Sequence, residues 1–68
     1  MLTEAEVRAL LAAAVASAGG QRRFAEQHGF TAGYINDVLR GNRNLSDRIL
    51  RAIGVERIVV YRAIAKEG

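Results

Sequence analysis

The stretch Gln21–Gly41, QRRFAEQHGFTAGYINDVLRG, decides how the chain folds. It divides at Gly29 into two short runs. Phe24 and Ala25 are the apolar positions of the first, and Ile35, Val38 and Leu39 those of the second. Spacings of three and four place such residues on one side of a helix. With Ile35 pointing inward at 100° per residue, Val38 and Leu39 fall beside it, while Gly33, Asn36, Asp37 and Arg40 fall opposite. The stretch therefore predicts one helix from Gln21 to about His28 and another over residues 32–40. Gly29 is the left-handed cap between them, Phe30 folds back over Ala25, and Thr31 caps the second helix. A short polar face is held outward by an apolar inner one.

Upstream, Val7, Leu10, Leu11, Ala14, Val15 and Ala18 form an apolar stripe at helical spacing. Thr3 and Glu6 make a capping box at its start, with Leu2 placed to staple onto Val7. Gly19-Gly20 ends it. Downstream, Gly41 stops the third helix and Asn42-Arg43-Asn44 makes a polar loop. Ser46 caps a fourth helix, Asp47 complements its dipole, and Leu45 can staple onto Leu50. Ile49, Leu50 and Ile53 face inward, and Gly54 ends the helix with Val55 folding back. Agreement among these local signals points to a defined, mainly all-α fold of four helices.

The tail changes character. Ile58, Val59, Val60 and Tyr61 are consecutive β-favouring residues, so residues 57–64 form either a strand or a short fifth helix with Ile58, Tyr61 and Ala65 on one face. A lone strand leaves backbone groups unpaired, so it must either lie against the domain or pair with a second copy, antiparallel about a two-fold axis. The expected organisation is a body over residues 1–56 and a dimerisation tail over residues 57–68, with Lys66-Glu67-Gly68 frayed.

A chain of 68 residues buries about 60% of its unfolded surface, and its stability is expected on the order of 3–10 kcal/mol. Without cysteine, neither a disulfide nor a zinc-thiolate site adds to that core. No apolar run approaches the roughly 20 residues of a membrane span and no signal peptide is visible, so a soluble, cytoplasmic protein is expected. The net charge of +3 is concentrated in residues 20–51, where six arginines face Glu26, Asp37 and Asp47. Nine of the ten basic residues are arginine, the side chain suited to bidentate contact with phosphate and guanine.

Catalytic chemistry finds little here. His28 is the only histidine, with no cysteine or carboxylate cluster at ligand spacing, and its place in a last helical turn suits capping or packing. Ser17 and Ser46 lack histidine and acid partners, and Gly19-Gly20 lacks the following lysine of a phosphate loop. No enzymatic activity, metal, cofactor or small-molecule effector is expected.

The order Gln21, Ala25, Gly29, Thr31, Tyr34-Ile35, Val38-Leu39, Gly41, Arg43, Ser46 and Ile53-Gly54-Val55 closely resembles the Cro/phage-repressor-like (lambda-repressor-like) helix-turn-helix family. The resemblance covers Gln21 to Val55, about half of the chain; Leu45 departs from it, standing where many relatives have proline. It implies a compact four-helix DNA-binding domain. Such proteins usually bind palindromic double-stranded operator DNA as homodimers, often as transcriptional repressors in bacterial or phage-infected cells. Residue by residue, Thr31, Ala32, Gly33, Asn36 and Asp37 match positions facing the major groove. Gln21 matches one that contacts a backbone phosphate or a base, and Arg40 and Arg43 match positions near flanking phosphates.

Chemistry refines these roles. Ala32 can contact a thymine methyl and Gly33 permits close approach. Asn36 can pair with adenine. Asp37 can accept from cytosine N4 or pair with Arg40 three residues on. Arg22 can reach the DNA backbone; Tyr34 can donate to a phosphate or pack at the helix edge. Arg48 and Arg51 are expected to face solvent. The same fold also serves protein-interaction modules, including antitoxin-like partner binders whose tail docks on another protein.

Overall fold

The computed structural model describes residues 1–65. Four helices follow in order: α1 Glu4–Ala18, α2 Gln21–His28, α3 Ala32–Leu39 and α4 Asp47–Ala52. Each begins and ends close to where local chemistry places it. At α1 the Thr3 side chain accepts from the Glu6 N–H at 3.1 Å and Glu6 accepts from the Thr3 N–H at 3.0 Å, closing the capping box. Thr31 accepts from the Tyr34 N–H at 3.1 Å and Ser46 from the Ile49 N–H at 3.2 Å. Only α2 lacks a side-chain cap; it starts from Gly20, whose φ of 120° and ψ of 174° no residue with a Cβ adopts without strain.

All four helices close with the same device. A residue beyond each helix donates its N–H to the carbonyl five residues earlier: Gly20 to Val15, Phe30 to Ala25, Asn42 to Asp37 and Val55 to Leu50, at 2.8–3.0 Å. The residue before each donor is a glycine with positive φ. These reversals are tight, so short helices fold back on one another and share one centre.

That centre is made of Val7, Leu11 and Val15 from α1, Phe24 and Ala25 from α2, Ile35 and Val38 from α3, Leu45 from the loop, and Ile49 and Leu50 from α4. Helices α1, α2 and α3 pack against one another pairwise, and burying each large side chain contributes about 1.5–3 kcal/mol. The apolar stripe of α1 is narrower than its sequence suggests. Leu10 is 42% exposed and Leu2 is 51% exposed; Val7, Leu11 and Val15 are buried, with Ala14 and Ala18 packed beside them, and the Leu2 staple leaves Leu2 half in solvent.

The tail forms neither the strand nor the fifth helix expected of it. Residues 55–65 are irregular, and Ile58, Val59, Val60, Tyr61 and Ile64 are exposed. A strand needs a ladder partner, and among the described residues the single chain offers none. The radius of gyration of 15.3 Å exceeds the roughly 11 Å of a compact chain of this length, as a protruding segment requires. Lys66 to Gly68, expected to fray, lie outside the described residues.

Candidate nucleic-acid interface

The candidate surface is the outward side of α3 with the loop that follows it. Gly29 and the Phe30 N–H bond to Ala25 turn the chain between α2 and α3, and buried Ala25 keeps α2 slim where α3 packs against it. With Ile35 and Val38 buried, the helical period leaves Gly33, Asn36, Asp37 and Arg40 on the opposite arc. Gly33 and Arg40 are exposed, and Ala32, Asn36 and Asp37 are half-buried.

Three of the sequence-predicted residues meet in one shallow groove, where Tyr34, Asp37 and Arg43 are joined by Asn42 and Asn44. Asp37 pairs with Arg43, Nε to Oδ2 at 3.7 Å, and not with Arg40. The Gly41 reversal carries the chain back so that Arg43 overlies α3. Its guanidinium carbon lies 5.8 Å from the Tyr34 ring centroid. The Arg43 and Asp37 side chains are 61% and 43% exposed, so the pair contributes at most about 1 kcal/mol and Arg43 can exchange it for another anion. The Arg40 side chain makes no hydrogen bond or ion pair among the described residues.

Tyr34 is anchored within the protein. Its hydroxyl donates to the Ser46 hydroxyl at 3.1 Å, and its ring stacks on Phe30 with centroids 5.5 Å apart. The packing role is therefore the one its geometry supports. The Thr31 oxygen accepts from the Tyr34 N–H, which leaves the hydroxyl proton free to donate outward. Gln21 and Arg22 stand on the first turn of α2, with no side-chain partner among the described residues.

Sequence reasoning overlooked Arg8. From α1 its Nε donates to the Val38 carbonyl at 3.0 Å and its Nη2 to the Arg43 carbonyl at 3.4 Å, while Glu4 holds Nη1 at 3.2 Å. This one side chain fixes both the end of α3 and the loop that bears Arg43. Arg48 is exposed, as expected, and also donates to the His28 and Gly29 carbonyls at 3.4 and 3.5 Å and lies 4.8 Å over the Phe30 ring. The His28 ring packs on Phe24 with centroids 4.5 Å apart.

The helix starts differ in charge. α1 opens with Glu4 and Glu6 and α4 with Asp47, but α2 and α3 have no acid in their first turns. α2 instead opens with Arg22 and Arg23 at the positive end of its dipole, a locally unfavourable placement. No helix of the described residues is long and apolar enough to cross a membrane.

No family model, curated protein or solved structure matches this chain.

Proposed function

We propose that the protein is a sequence-specific double-stranded DNA-binding regulator of the Cro/phage-repressor-like helix-turn-helix kind, a homodimeric repressor acting in the cytoplasm of a bacterial or phage-infected cell. The carrying observation is the charge pattern at the starts of α2 and α3. Acids complement the dipoles of α1 and α4 but not of these two, and Arg22 and Arg23 add positive charge that favours an anion there. A phosphate backbone supplies such anions at regular spacing.

In this reading α3 enters the major groove. Asn36 pairs with adenine, Asp37 accepts from cytosine N4 when Arg43 turns to a phosphate, Ala32 meets a thymine methyl, and Gly33 permits approach. Gln21, Arg22, Thr31, Arg40 and Arg43 position the backbone; Tyr34 supports them by holding α3 to α4. The body over residues 1–56 reads, and the tail around Ile58–Tyr61 joins two copies. The test is binding to duplex DNA as a function of salt. Arg40→Ala is expected to reduce the slope of log K against log salt by about 0.9 per half-site. A slope that does not change would remove Arg40 from the interface.

One observation favours a second reading. The exposed apolar tail also suits an antitoxin-like module that binds another protein, in which case Arg40→Ala and Asn36→Ala leave its activity intact.

A further inference from the structure

We infer that the tail of each chain seats in an apolar groove on a second copy, so that two chains exchange tails reciprocally; this rests on the homodimer reading above and names the surface that makes the dimer. The groove holds about 790 Å³ and runs between the start of α1 and the end of α4. Its floor is Leu2, Val7, Leu45, Leu50 and Val55, with Glu4 and Glu56 also on its walls.

The exposed apolar residues of the chain divide between this groove and the tail. Met1 and Leu2 line the groove, Ile58 stands at its edge, and Val59, Val60, Tyr61 and Ile64 continue along the tail. Among the described residues, Leu10 is the one exposed large apolar side chain that belongs to neither. A groove without a filling and a segment without a cover are complementary in kind.

The tail cannot easily fill its own groove. Arg57 is tied down by its Nη2 donating to the Leu45 carbonyl at 2.6 Å and its Nε to Asp47 at 3.3 Å. No glycine or proline occurs from Val55 to Lys66 to reverse the chain beyond that anchor. The segment accordingly runs outward, giving a longest dimension of 57 Å against 20 and 18 Å for the others. A second copy has the same groove open.

Area and charge fit this occupant. Ile58, Val59, Val60, Tyr61 and Ile64 are each at least 65% exposed, together roughly 700 Å² per chain when an aromatic offers about 150–250 Å². Two tails then supply roughly 1,400 Å² before the groove walls are counted, within the range of a specific interface. Arg62 follows Tyr61, the most exposed of the five, and meets a groove whose wall carries Glu56; Glu4 there pairs with Arg8 and Arg57 with Asp47. Because the exchange is reciprocal, the two contacts are related by a two-fold axis and the assembly closes at two.

The chain lacks cysteine, so disulfide trapping reads the contact directly in the full-length protein. Leu2→Cys marks the groove and Ala63→Cys marks the tail, two residues beyond Tyr61; both positions are exposed. Mixing the two single variants under mild oxidation is expected to give the Leu2→Cys–Ala63→Cys covalent dimer, with little product from Ala63→Cys alone. In parallel, Tyr61→Asp is expected to raise the dimer dissociation constant at least about tenfold, as for a buried aromatic anchor. Efficient tail-to-tail crosslinking of Ala63→Cys alone, with no mixed species, would overturn the exchange and leave a ribbon dimer standing. A full-length chain that stays monomeric in light scattering at high micromolar concentration would overturn both.

Discussion

Arg8 and Val38, thirty residues apart, are joined by a 3.0 Å hydrogen bond from the Arg8 Nε to the Val38 carbonyl. The bond places a cation at the C-terminal end of α3, where the helix dipole is negative. Through Nη2 the same guanidinium holds the Arg43 carbonyl, so α1 sets the end of the helix proposed to read DNA. Arg8→Ala is expected to cost about 1–3 kcal/mol, because bonds from a charged donor are the stronger class. Arg8→Lys should recover only part, lacking the planar fork. Urea denaturation checks both; a loss below the error of the measurement would show the clasp to be incidental.

Tyr34 and Ser46 tie α3 to the start of α4, and the Ser46 oxygen also caps α4 through Ile49. Tyr34→Phe is expected to cost about 0.5–1.5 kcal/mol in stability and to leave DNA affinity nearly unchanged. Ser46→Ala should cost about 1–2 kcal/mol, since the cap goes as well. A double-mutant cycle in thermal unfolding should show the two to be coupled; strict additivity would mean that the hydroxyl contact contributes nothing.

Gly33 occupies a helical position with ordinary φ, and a Cβ built there meets nothing within 4 Å. Nothing inside the protein requires glycine at that point. Gly33→Ala should therefore stabilise the fold by up to about 1 kcal/mol. If the bare backbone is there for close approach to the groove floor, the same change weakens duplex binding. A gain in stability with affinity unchanged would show that the approach is not used.

The helices were legible because their signals are local. Thr3, Thr31 and Ser46 cap residues three positions on, and each glycine stop closes a bond spanning five, so both partners sit within one window of sequence. The ties made by Arg8, Arg48 and Arg57 were not legible. Their acceptor carbonyls lie 30, 20 and 12 residues away, and an arginine on a helix or tail looks the same whether it finds water or a distant carbonyl. Asp37 misled for a related reason. Arg40 is its neighbour by helical period, but the reversal at Gly41 brings Arg43 over it. In the tail, β-favouring residues spoke to what the segment can pair with, while the single chain offers no partner.

Among the described residues, no apolar side chain beyond Val55 belongs to the apolar core or packs against it. Truncation after Arg57, which keeps the Arg57 anchor, is expected to leave the helical content and the unfolding midpoint close to those of the whole chain. Its self-association should weaken sharply in sedimentation equilibrium. An unaltered dimer would move the interface away from the tail.

The central claim is that α3 reads a DNA sequence, and selection of binding sites from random duplex DNA by the purified full-length protein tests it most directly. An enriched palindromic motif with half-sites about one helical turn apart is expected, with relaxed preference at one position per half-site in Asn36→Ala. Recovery of no motif, with only weak salt-sensitive binding, would contradict it.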